Sequence, residues 1–469
     1  MFFYYLKYSY LICFLLSAGV IFSGCAQSQK IQESGTAKEI TDRGTVNTTV
    51  RKNYIKNEID SFNSFYQDQR VKDYKYAQMK TSPFAFYRAT AHLYYKDLVN
   101  GIIPVPSQWK NTADISPWIQ GDLHIQNLGH FENNKGEIVF DLNDFDESYI
   151  APFYWDLIRF TASVYLIKDE VGFNFSSSEQ DELALYFLEE YQNNLTDGNN
   201  QELTISNLSG FLQDQAEEIM SEQTQQKLLD KWTVIKNGKR VFDFTNEKLE
   251  DLTSSDEVEL ASWNTYLSDN SSFVSKMGNA YFTVKSKAKR LYSGLGSLGV
   301  KKYYVLLEGA SSSQNDDIIL EVKEERQPSL FLSGLISSSL YSSYFSTHGK
   351  RSVTASRAML KNAEDFLGIM VSSNSSYQVK KISSYKFGFE PADFKSKSDL
   401  KNFLKYAALA LANAHNRSDS QYNPLYIPYV VRPNILNAIK VWSSAKTTLR
   451  SLAKNYAAQV KVDYSLFKQ

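Results

Sequence analysis

The sequence predicts an α+β protein that combines long amphipathic helices with short strands. Apolar residues make up 43% of the 469-residue chain and charged residues 22%, which is typical of a globular protein. Several long segments carry apolar residues at helical spacing. Shorter segments rich in β-branched and aromatic residues lie beside turns that contain Gly, Asn and Asp, which indicates strands.

The first residues have the layout of an export signal. Lys7 precedes an apolar run at residues 11–22, and small residues stand directly before Cys25. This layout resembles a bacterial lipoprotein box, which implies a signal peptide at residues 1–24 and acylation of the Cys25 thiol. An uncleaved anchor is the alternative, because residues 2–22 nearly reach the length of a spanning helix. Both interpretations predict an exported body attached to a bacterial membrane, and the first a periplasmic or outer-membrane lipoprotein.

Cysteine usage and charge exclude several kinds of site. Cys13 and Cys25 are the only cysteines, so the predicted mature body has no internal disulfide and no Cys-based metal site or nucleophile. The net charge of −1 gives no global attraction to nucleic acid, and no nucleic-acid partner is expected. The lipoprotein resemblance implies a lipidated Cys25 at the start of residues 25–52. Residues 26–52 are polar without apolar periodicity, which predicts a flexible tether spanning roughly 30 Å.

The next part, residues 53–281, is predicted to be mainly helical with one β-hairpin. The hairpin pairs residues 127–131 with residues 137–142 around the turn ENNKG. The helical pattern covers residues 83–97, 152–167, 179–193 and 208–232. Polar loops are predicted at residues 195–202 and 251–257.

The residue pattern changes from helical to strand-like at about Phe282, and residues 282–395 are predicted to contain most of the strands. The Lys-rich run VKSKAKR at residues 284–290 is interpreted as a solvated face. The later elements are a Gly-rich turn feeding a strand within residues 291–308, a strand at 318–323, a helix at 352–367 and a strand at 377–382. The last part, residues 396–469, is predicted to be helical at 401–415 and 434–460.

The segment GDLHIQN, followed after the hairpin by DLNDFDE, carries the residues best suited to chemistry. Asp122 and Asn127 lie five residues apart on a tight loop, and their oxygens are hard ligands suited to Mg²⁺. Phosphoryl transfer uses an Asp to orient the attacking hydroxyl and an Asn and an Asp to hold the metal. Strand alternation and the Asp-Phe-Asp context favour Asp144 over Asp146 and Asp141 for the second metal ligand. The alternative is a turn whose Asx side chains cap backbone amides.

These motifs resemble the catalytic and metal-binding loops of the protein-kinase-like superfamily, particularly its aminoglycoside-phosphotransferase branch. The sequence also resembles DUF2252, a bacterial family of unknown function, from about Met79 to the C-terminus. The shared motifs, in chain order, are SPFAFYR (82–88), GDLHIQN (121–127), DLNDFDE (141–147), WDLIR (155–159), GLGSLG (294–299), VKE (322–324) and AHNRS (414–418).

The resemblance implies a role for each motif. Asp122 would orient or deprotonate an acceptor, and Asn127, Asp144 and Asp146 would bind metal. Gly residues let backbone amides approach phosphates, and a kinase Lys on a following strand holds them; an ordinary turn and a surface Lys are the alternatives. The implied nucleotide-binding residues are Gly294, Gly296, Ser297, Gly299 and Lys323. The resemblance implies that Asp156 braces the catalytic-type loop, with a surface charge as the alternative. Structural support is also expected of His124 and Arg88, and the alternatives are metal ligation by His124 and a phosphate contact by Arg88.

The order of the motifs differs from that of ordinary kinases, because the Gly-rich turn and Lys323 follow the catalytic-type loop. A circular permutation explains this order: the chain would begin in the C-lobe, cross into the N-lobe near Phe282 and return. The resulting prediction is a permuted, protein-kinase-like two-lobe α+β fold. Relatives carry Glu at the position of Thr354, so Glu324 or Glu364 would have to pair with Lys323.

Three functions are compatible with these residues. The first is a membrane-tethered, ATP- and Mg²⁺-dependent phosphotransferase or nucleotidyl transferase of unknown acceptor. The second is a catalytically inactive kinase-like binding protein of the cell envelope, favoured by Thr354 and by an exported location without an ordinary ATP supply. The third is a metal-dependent hydrolase that uses the acidic cluster without nucleotide. The sequence specifies neither the acceptor nor the oligomeric state.

Overall fold

The computed structural model describes residues 48–469, so the predicted signal peptide, Cys25 and nearly all of the predicted tether lie outside the described residues. Helices make up 50% and strands 14%, which confirms the α+β prediction. Across residues 48–469, no helix has both the length and the apolar character needed to cross a bilayer.

The helices lie in three groups along the chain, before, between and after the strands of the main sheet. They are α1 (Thr48–Phe62), α2 (Gln69–Met79), α3 (Pro83–Ala89), α4 (Ala91–Val99), α5 (Ser107–Lys110), α6 (Tyr154–Leu166), α7 (Ser177–Asp197), α8 (Phe211–Glu222), α9 (Gln225–Trp232), α10 (Ser254–Leu260), α11 (Trp263–Asp269), α12 (Ser271–Met277), α13 (Ser329–Leu332), α14 (Ser338–Tyr344), α15 (His348–Met359), α16 (Lys397–Arg417), α17 (Val431–Val441) and α18 (Ala445–Lys468).

The strands form one large sheet, a smaller three-stranded sheet and two short pairs. They are β1 (Trp118–Ile119), β2 (Leu128–Glu132), β3 (Ile138–Leu142), β4 (Tyr149–Ile150), β5 (Thr233–Lys236), β6 (Lys239–Phe242), β7 (Leu249–Glu250), β8 (Val284–Arg290), β9 (Lys302–Leu307), β10 (Ile318–Glu325), β11 (Gly368–Val371), β12 (Ser376–Lys381) and β13 (Phe387–Gly388). The hairpin of β2 and β3 confirms the predicted one.

The main helical core forms around α6, which is buried along almost its whole length. Its first turn places Asp156 beneath the loop that carries GDLHIQN. Helix α18 packs on α6, and α16 packs on α7. A capping box of Ser176 and Glu179 starts α7, and Gly198 in the left-handed conformation ends it. These helices form a rigid support for the loops at one end of the core.

The large sheet is antiparallel, in the order β11, β12, β10, β9, β8, β7. Its two faces follow from the alternation along β10. Leu320 and Val322 pack in one cluster with residues of α10, α11 and α12. Ile319 lies on the opposite face in a cluster with residues of α9 and β6, and alternation places Lys323 on that same face. We call the face that carries Lys323 the cleft face.

The run at residues 284–290, interpreted from the sequence as a solvated face, is strand β8 between β7 and β9, and all but one of its residues are half-buried. Ala288 is fully buried. Two of its lysines form ion pairs with acidic side chains: Lys287 Nζ lies 3.0 Å from Glu257 Oε2, and Lys285 Nζ lies 2.8 Å from Asp317. Long Lys stems can cover a sheet while their charged ends stay paired, so hydrophobic alternation did not reveal the strand.

Three predicted helices are each divided in two, at residues that favour a break. Thr90 leaves the helical conformation between α3 and α4. Thr224 caps α9, accepting from Lys227 N at 3.1 Å. Ser444 adopts φ +57° between α17 and α18. The loop predicted at residues 251–257 is partly wrong, because a capping box of Thr253 with Asp256 starts α10 there.

The two ends of the described chain meet at a buried ion cluster, which we call the Arg51 cluster. Arg51 of α1 is 0% exposed. Its guanidinium donates to Asp97 of α4 at 2.7 Å and to Asp463 of α18 at 3.0 Å. The first described helix is therefore attached to the last one through paired charges.

Candidate functional site

The GDLHIQN loop is held from below by helix α6. Asp156 accepts hydrogen bonds from Gln120 N at 2.7 Å and from Gly121 N at 3.0 Å, the position that the predicted brace requires. Gly121 has φ +88°, and a Cβ there would overlap the carbonyl oxygen of Glu147, so only glycine fits. Asn127 Nδ2 donates to Asp122 O at 2.9 Å and closes the loop.

Asp122 lies at the centre of this loop, with its carboxylate held by a buried arginine. Arg159, one turn after Asp156 on α6, donates from Nε to Asp122 Oδ1 at 2.8 Å. His124 Nε2 lies 3.8 Å from Asp122 Oδ2. Burial raises the pKa of Asp122 to about 6, against the opposing charge of Arg159. At pH 7 this carboxylate is mostly ionised and close to the pKa that suits a general base.

The DLNDFDE loop brings two more carboxylates to the site. Asp144 adopts φ +58°, a conformation uncommon outside glycine. Lys323 Nζ lies 2.9 Å from Asp144 Oδ1 and also pairs with Asp146. Burial disfavours ionisation of Asp144, but Lys323 and Lys380 outweigh it and hold the pKa well below its usual range. Burial and the Asp144 charge raise the pKa of Asp146.

Helix α15 holds the DLNDFDE loop through one buried arginine. Arg351 is 0% exposed. Its guanidinium donates to Ser148 O at 2.7 Å and to Asp146 O at 2.6 Å, and more weakly to Phe145 O at 3.3 Å. Glu325 lies 3.6 Å away at the end of β10. A helix from the strand-rich part therefore fixes the backbone of the acidic loop.

The Gly-rich turn, residues 293–299, joins β8 to β9 and lies against the GDLHIQN loop. A Cβ built on Gly296 would stand 3.6 Å from Asp122 Oδ2. Gly299 has φ +94°, and a Cβ there would overlap the Tyr66 ring. Tyr66 donates its hydroxyl to Leu298 O, and Lys75 Nζ lies 3.5 Å from Gly296 O. The segment from α1 to α2 thus holds the turn in place.

Two cavities meet at Asp144. The smaller, about 370 Å³, is lined by Asp122, Asn127, Asp144, Asp146, Gly296 and Ser297, among others. Residues of α1 and the turn after it form its opposite wall, including Phe62 and Phe65. The larger cavity, about 710 Å³, is lined by Asp144, Trp232, Tyr304, Glu321, Lys380 and Ile382, among others. It lies between the cleft face of the sheet and the β2–β3 hairpin.

Most of the residues singled out in the sequence come together here. Arg88 lines the smaller cavity, and among the described residues its Nε has no hydrogen-bond partner. The carboxylate of Asp141 lies apart, 3.8 Å from Arg417 Nη1. The expected pairing of Lys323 with Glu324 or Glu364 is wrong. Those two accept instead from Ser375 Oγ at 2.8 Å and from Lys381 N at 2.7 Å, respectively.

Sequence reasoning gave no role to several residues that hold the site. Arg159 stands three residues after Asp156, and this helical spacing puts both side chains on one side of α6. The spacing could therefore have indicated that Arg159 faces the same loop as Asp156. Arg351 lies in a stretch noted only for its difference from relatives. Tyr66 had no local signal, because its partner in the Gly-rich turn lies far away in the sequence. Lys302 lies only nine residues after its partner Ser293, but no residue pattern marked this contact.

One comparison with known proteins gives a result. The model of a family described as "Uncharacterized protein conserved in bacteria (DUF2252)" matches residues 67–469. No curated protein and no solved structure matches the chain.

Proposed function

This chain belongs to the DUF2252 family, and we propose that it is a membrane-tethered, ATP- and Mg²⁺-dependent phosphotransferase or nucleotidyl transferase. The observation that carries the proposal is the position of Asp144, which lines both cavities. A transferase needs one space for the donor and one for the acceptor, joined where the group is transferred. We assign the larger cavity to the nucleotide, because about 710 Å³ is within the usual range for a ligand site. The smaller cavity, with Asp122, takes the acceptor.

We also propose a permuted, protein-kinase-like arrangement of two lobes. In protein kinases a Gly-rich loop covers the phosphates, and a Lys on a later strand of the sheet pairs with a Glu of the following helix. Here the Gly-rich turn lies between β8 and β9, Lys323 lies on β10, and α15 follows. The catalytic-type loop comes from the helical part earlier in the chain. The Lys323 ion pairs with Asp144 and Asp146 join the two parts at the proposed site.

The chain's own residues supply the steps of the proposed transfer. Asp122 accepts the proton of an acceptor hydroxyl as that oxygen attacks the terminal phosphorus of ATP. The bond from this phosphorus to the bridging oxygen breaks, and ADP leaves. Arg159 keeps the Asp122 carboxylate oriented, and the bond from Asn127 Nδ2 to Asp122 O fixes the loop around it. Lys323 donates to phosphate oxygens.

The residues that line the smaller cavity fit Mg²⁺ by their chemistry. Asn127, Asp144 and Asp146 offer one amide oxygen and two carboxylates, the oxygen ligands that Mg²⁺ prefers. Within residues 48–469 no group of three or more His, Cys, Asp or Glu side chains is arranged to hold a metal ion, so the proposed site relies on the Asn127 amide together with two carboxylates. When bound there, Mg²⁺ would neutralise charge on the phosphate oxygens.

The proposed location follows from the N-terminal motif. Acylation of Cys25 would anchor an exported body to the membrane, as a periplasmic or outer-membrane lipoprotein, through the tether that ends at α1. The acceptor would then be a molecule of the cell envelope. Nucleotide, acceptor and membrane are the proposed partners.

A kinase-like binding protein without catalysis is the second candidate. The observation that favours it is the close approach of the Gly-rich turn to Asp122, since a Cβ on Gly296 would stand 3.6 Å from Oδ2. In this arrangement the turn approaches the Asp122 carboxylate to about contact distance at Gly296. A binding protein would keep this closed form, whereas a transferase must open it for phosphate.

Nucleotide binding by the full chain, purified in detergent, tests the proposal. Thermal unfolding would be followed with ATP, with Mg²⁺ and with both, for the wild type, Asp144→Asn and Lys323→Met. A ligand at 100 times its Kd stabilises by about 2.7 kcal/mol. We expect ATP to stabilise the wild type only with Mg²⁺, and neither variant to respond.

Lys287→Met is the matched control, because Lys287 pairs with Glu257 of α10 on the face opposite the cleft. It should respond to ATP as the wild type does. A folded wild type that ATP and Mg²⁺ leave unchanged would eliminate the transferase. Turnover of a phosphoester without nucleotide would point to the metal-dependent hydrolase instead.

A further inference from the structure

Lys302, the first residue of β9, stands directly across from Lys323 in the register of the sheet. Residues directly opposite each other in an antiparallel pair point to the same face, so both side chains belong to the cleft face. Lys302 is 5% exposed and Lys323 is 4% exposed. Like charges opposite each other destabilise a strand pair, and burial adds to that cost. Two buried ammonium groups here need a compensating negative charge.

Only one of the two lysines has that compensation. Lys323 pairs with Asp144 and Asp146. Lys302 Nζ donates to two neutral oxygens, Ser293 O at 2.7 Å and Ser297 Oγ at 3.0 Å. In the described part of the chain, no carboxylate comes within ion-pair distance of it.

Carboxylates act on Lys302 only from beyond ion-pair distance, namely Glu321, Asp144 and Asp146, so its charge is balanced only in part. Glu321 shares the cleft face, but its ion pair, at 3.8 Å, is with Lys380. Burial and the charge of Lys323 lower the pKa of Lys302 to about 8. An ammonium in this position is stabilised by any anion that enters the cleft.

The partners of Lys302 place it directly beneath the Gly-rich turn. Ser293 and Ser297 both belong to the turn, and a Cβ on Gly294 would stand 3.2 Å from Lys302 Nζ. Backbone amides of such a turn approach phosphates closely. A ligand phosphate that lies under the turn would therefore meet Lys302, while Lys323 stands beside Asp144 on the neighbouring strand.

We infer that Lys302 is a second phosphate-binding lysine, which holds the Gly-rich turn through Ser293 and Ser297 and binds the polyphosphate of the donor together with Lys323. The inference rests on the proposed function and adds to it the class of ligand: a chain of at least two linked phosphates that spans both lysines. On binding, Lys302 exchanges the oxygens of Ser293 and Ser297 for phosphate oxygens. The turn then keeps its contacts with Tyr66 and Lys75.

Calorimetric binding to the full chain in detergent, with Mg²⁺ present, tests this inference. The probes are ATP, inorganic tripolyphosphate and adenosine, and the proteins are the wild type, Lys302→Met, Lys302→Gln and the control Lys287→Met. Both Lys302 variants should bind ATP and tripolyphosphate with an affinity lower by about tenfold or more, which is the effect of losing one charge-assisted hydrogen bond. Adenosine should bind all four alike, because it carries no phosphate.

The outcomes separate the inference from the proposed function. If the wild type binds ATP and both Lys302 variants bind it equally well, Lys302 is not a phosphate residue and the proposed function survives. If the Lys302 variants lose as much affinity for adenosine as for ATP, Lys302 acts only through the shape of the turn, and the inference is wrong. If the wild type binds tripolyphosphate through Lys302 but no ATP, the inference stands and the proposed function falls. If it binds none of the probes, both fall.

Discussion

Lys323 Nζ lies 2.9 Å from Asp144 Oδ1, although 179 positions separate the two residues in the sequence. One comes from the large sheet and the other from the loop that follows the β2–β3 hairpin. Their contact brings the Gly-rich turn, the acidic loop and the GDLHIQN loop to one place.

Replacing Asp122 by Asn should stop turnover without removing nucleotide binding. The amide cannot accept the acceptor's proton, so we expect the rate of ADP release from ATP to fall by about 10²- to 10⁴-fold. The ATP-dependent thermal shift should remain. Asp114→Asn, a change at an exposed carboxylate, should keep the wild-type rate. Turnover that survives in Asp122→Asn would remove Asp122 from the chemistry.

The activity should have an acidic limb near pH 6. Burial raises the pKa of Asp122 to about 6, so the carboxylate is protonated and inactive as a base below that pH and ionised above it. We expect kcat/KM for ATP turnover to rise with pH through about 6 and then level off. A profile measured between pH 5 and pH 8 would reveal this limb.

Asp141 offers a matched control for the pH profile. Burial also raises the pKa of Asp141 to about 6, but its carboxylate faces Arg417 rather than the cavity. Asp141→Asn should therefore leave the acidic limb in place. A limb that disappears in this variant would mean that the profile reports Asp141 and not Asp122.

Removing Arg351 should destabilise the fold strongly. Arg351→Met leaves the carbonyl oxygens of the acidic loop without their donor and the buried carboxylate of Glu325 without the guanidinium 3.6 Å away, and we expect a loss of about 3–5 kcal/mol. Urea unfolding measures it. Arg357→Met on the same helix breaks one strong bond, to Leu367 O at 2.6 Å, and should cost about 0.5–1.5 kcal/mol. Equal losses would show that Arg351 has no special part in fixing the loop.

Replacing Tyr66 by Phe should loosen the Gly-rich turn. The change removes the hydroxyl that donates to Leu298 O, at a cost of about 0.5–1.5 kcal/mol. We expect faster amide hydrogen exchange across residues 293–300, measured by mass spectrometry. Tyr74→Phe is the control, because Tyr74 is 40% exposed and contacts Tyr292 with its ring alone among the contacts described. Unchanged exchange in Tyr66→Phe would mean that the turn is held by other contacts.

The secondary-structure elements that depend on local residue pattern could be predicted from the sequence. The hairpin of β2 and β3, the strand that ends beyond Lys323 and the helix that carries Asp156 follow from apolar spacing and turn residues. The pairing of Lys302 with Lys323 depends on strand register, which no local pattern specifies. The same holds for Arg351, whose partners lie about 200 positions earlier. Contacts made only when distant segments meet cannot be identified from one segment.

The Arg51 cluster has a consequence for the order in which the chain can fold. Arg51 and Asp463 are 412 positions apart, so the cluster forms only after nearly the whole chain has been synthesised. A ribosome releases α1 first and α18 last, and helix α1 must wait for its final counter-charge. Contacts of such long sequence separation slow folding and prolong the exposure of apolar surface. A chain cut short before α18 would leave Arg51 of α1 paired with Asp97 alone, with the wall that α1 forms beside Asp122 held less firmly.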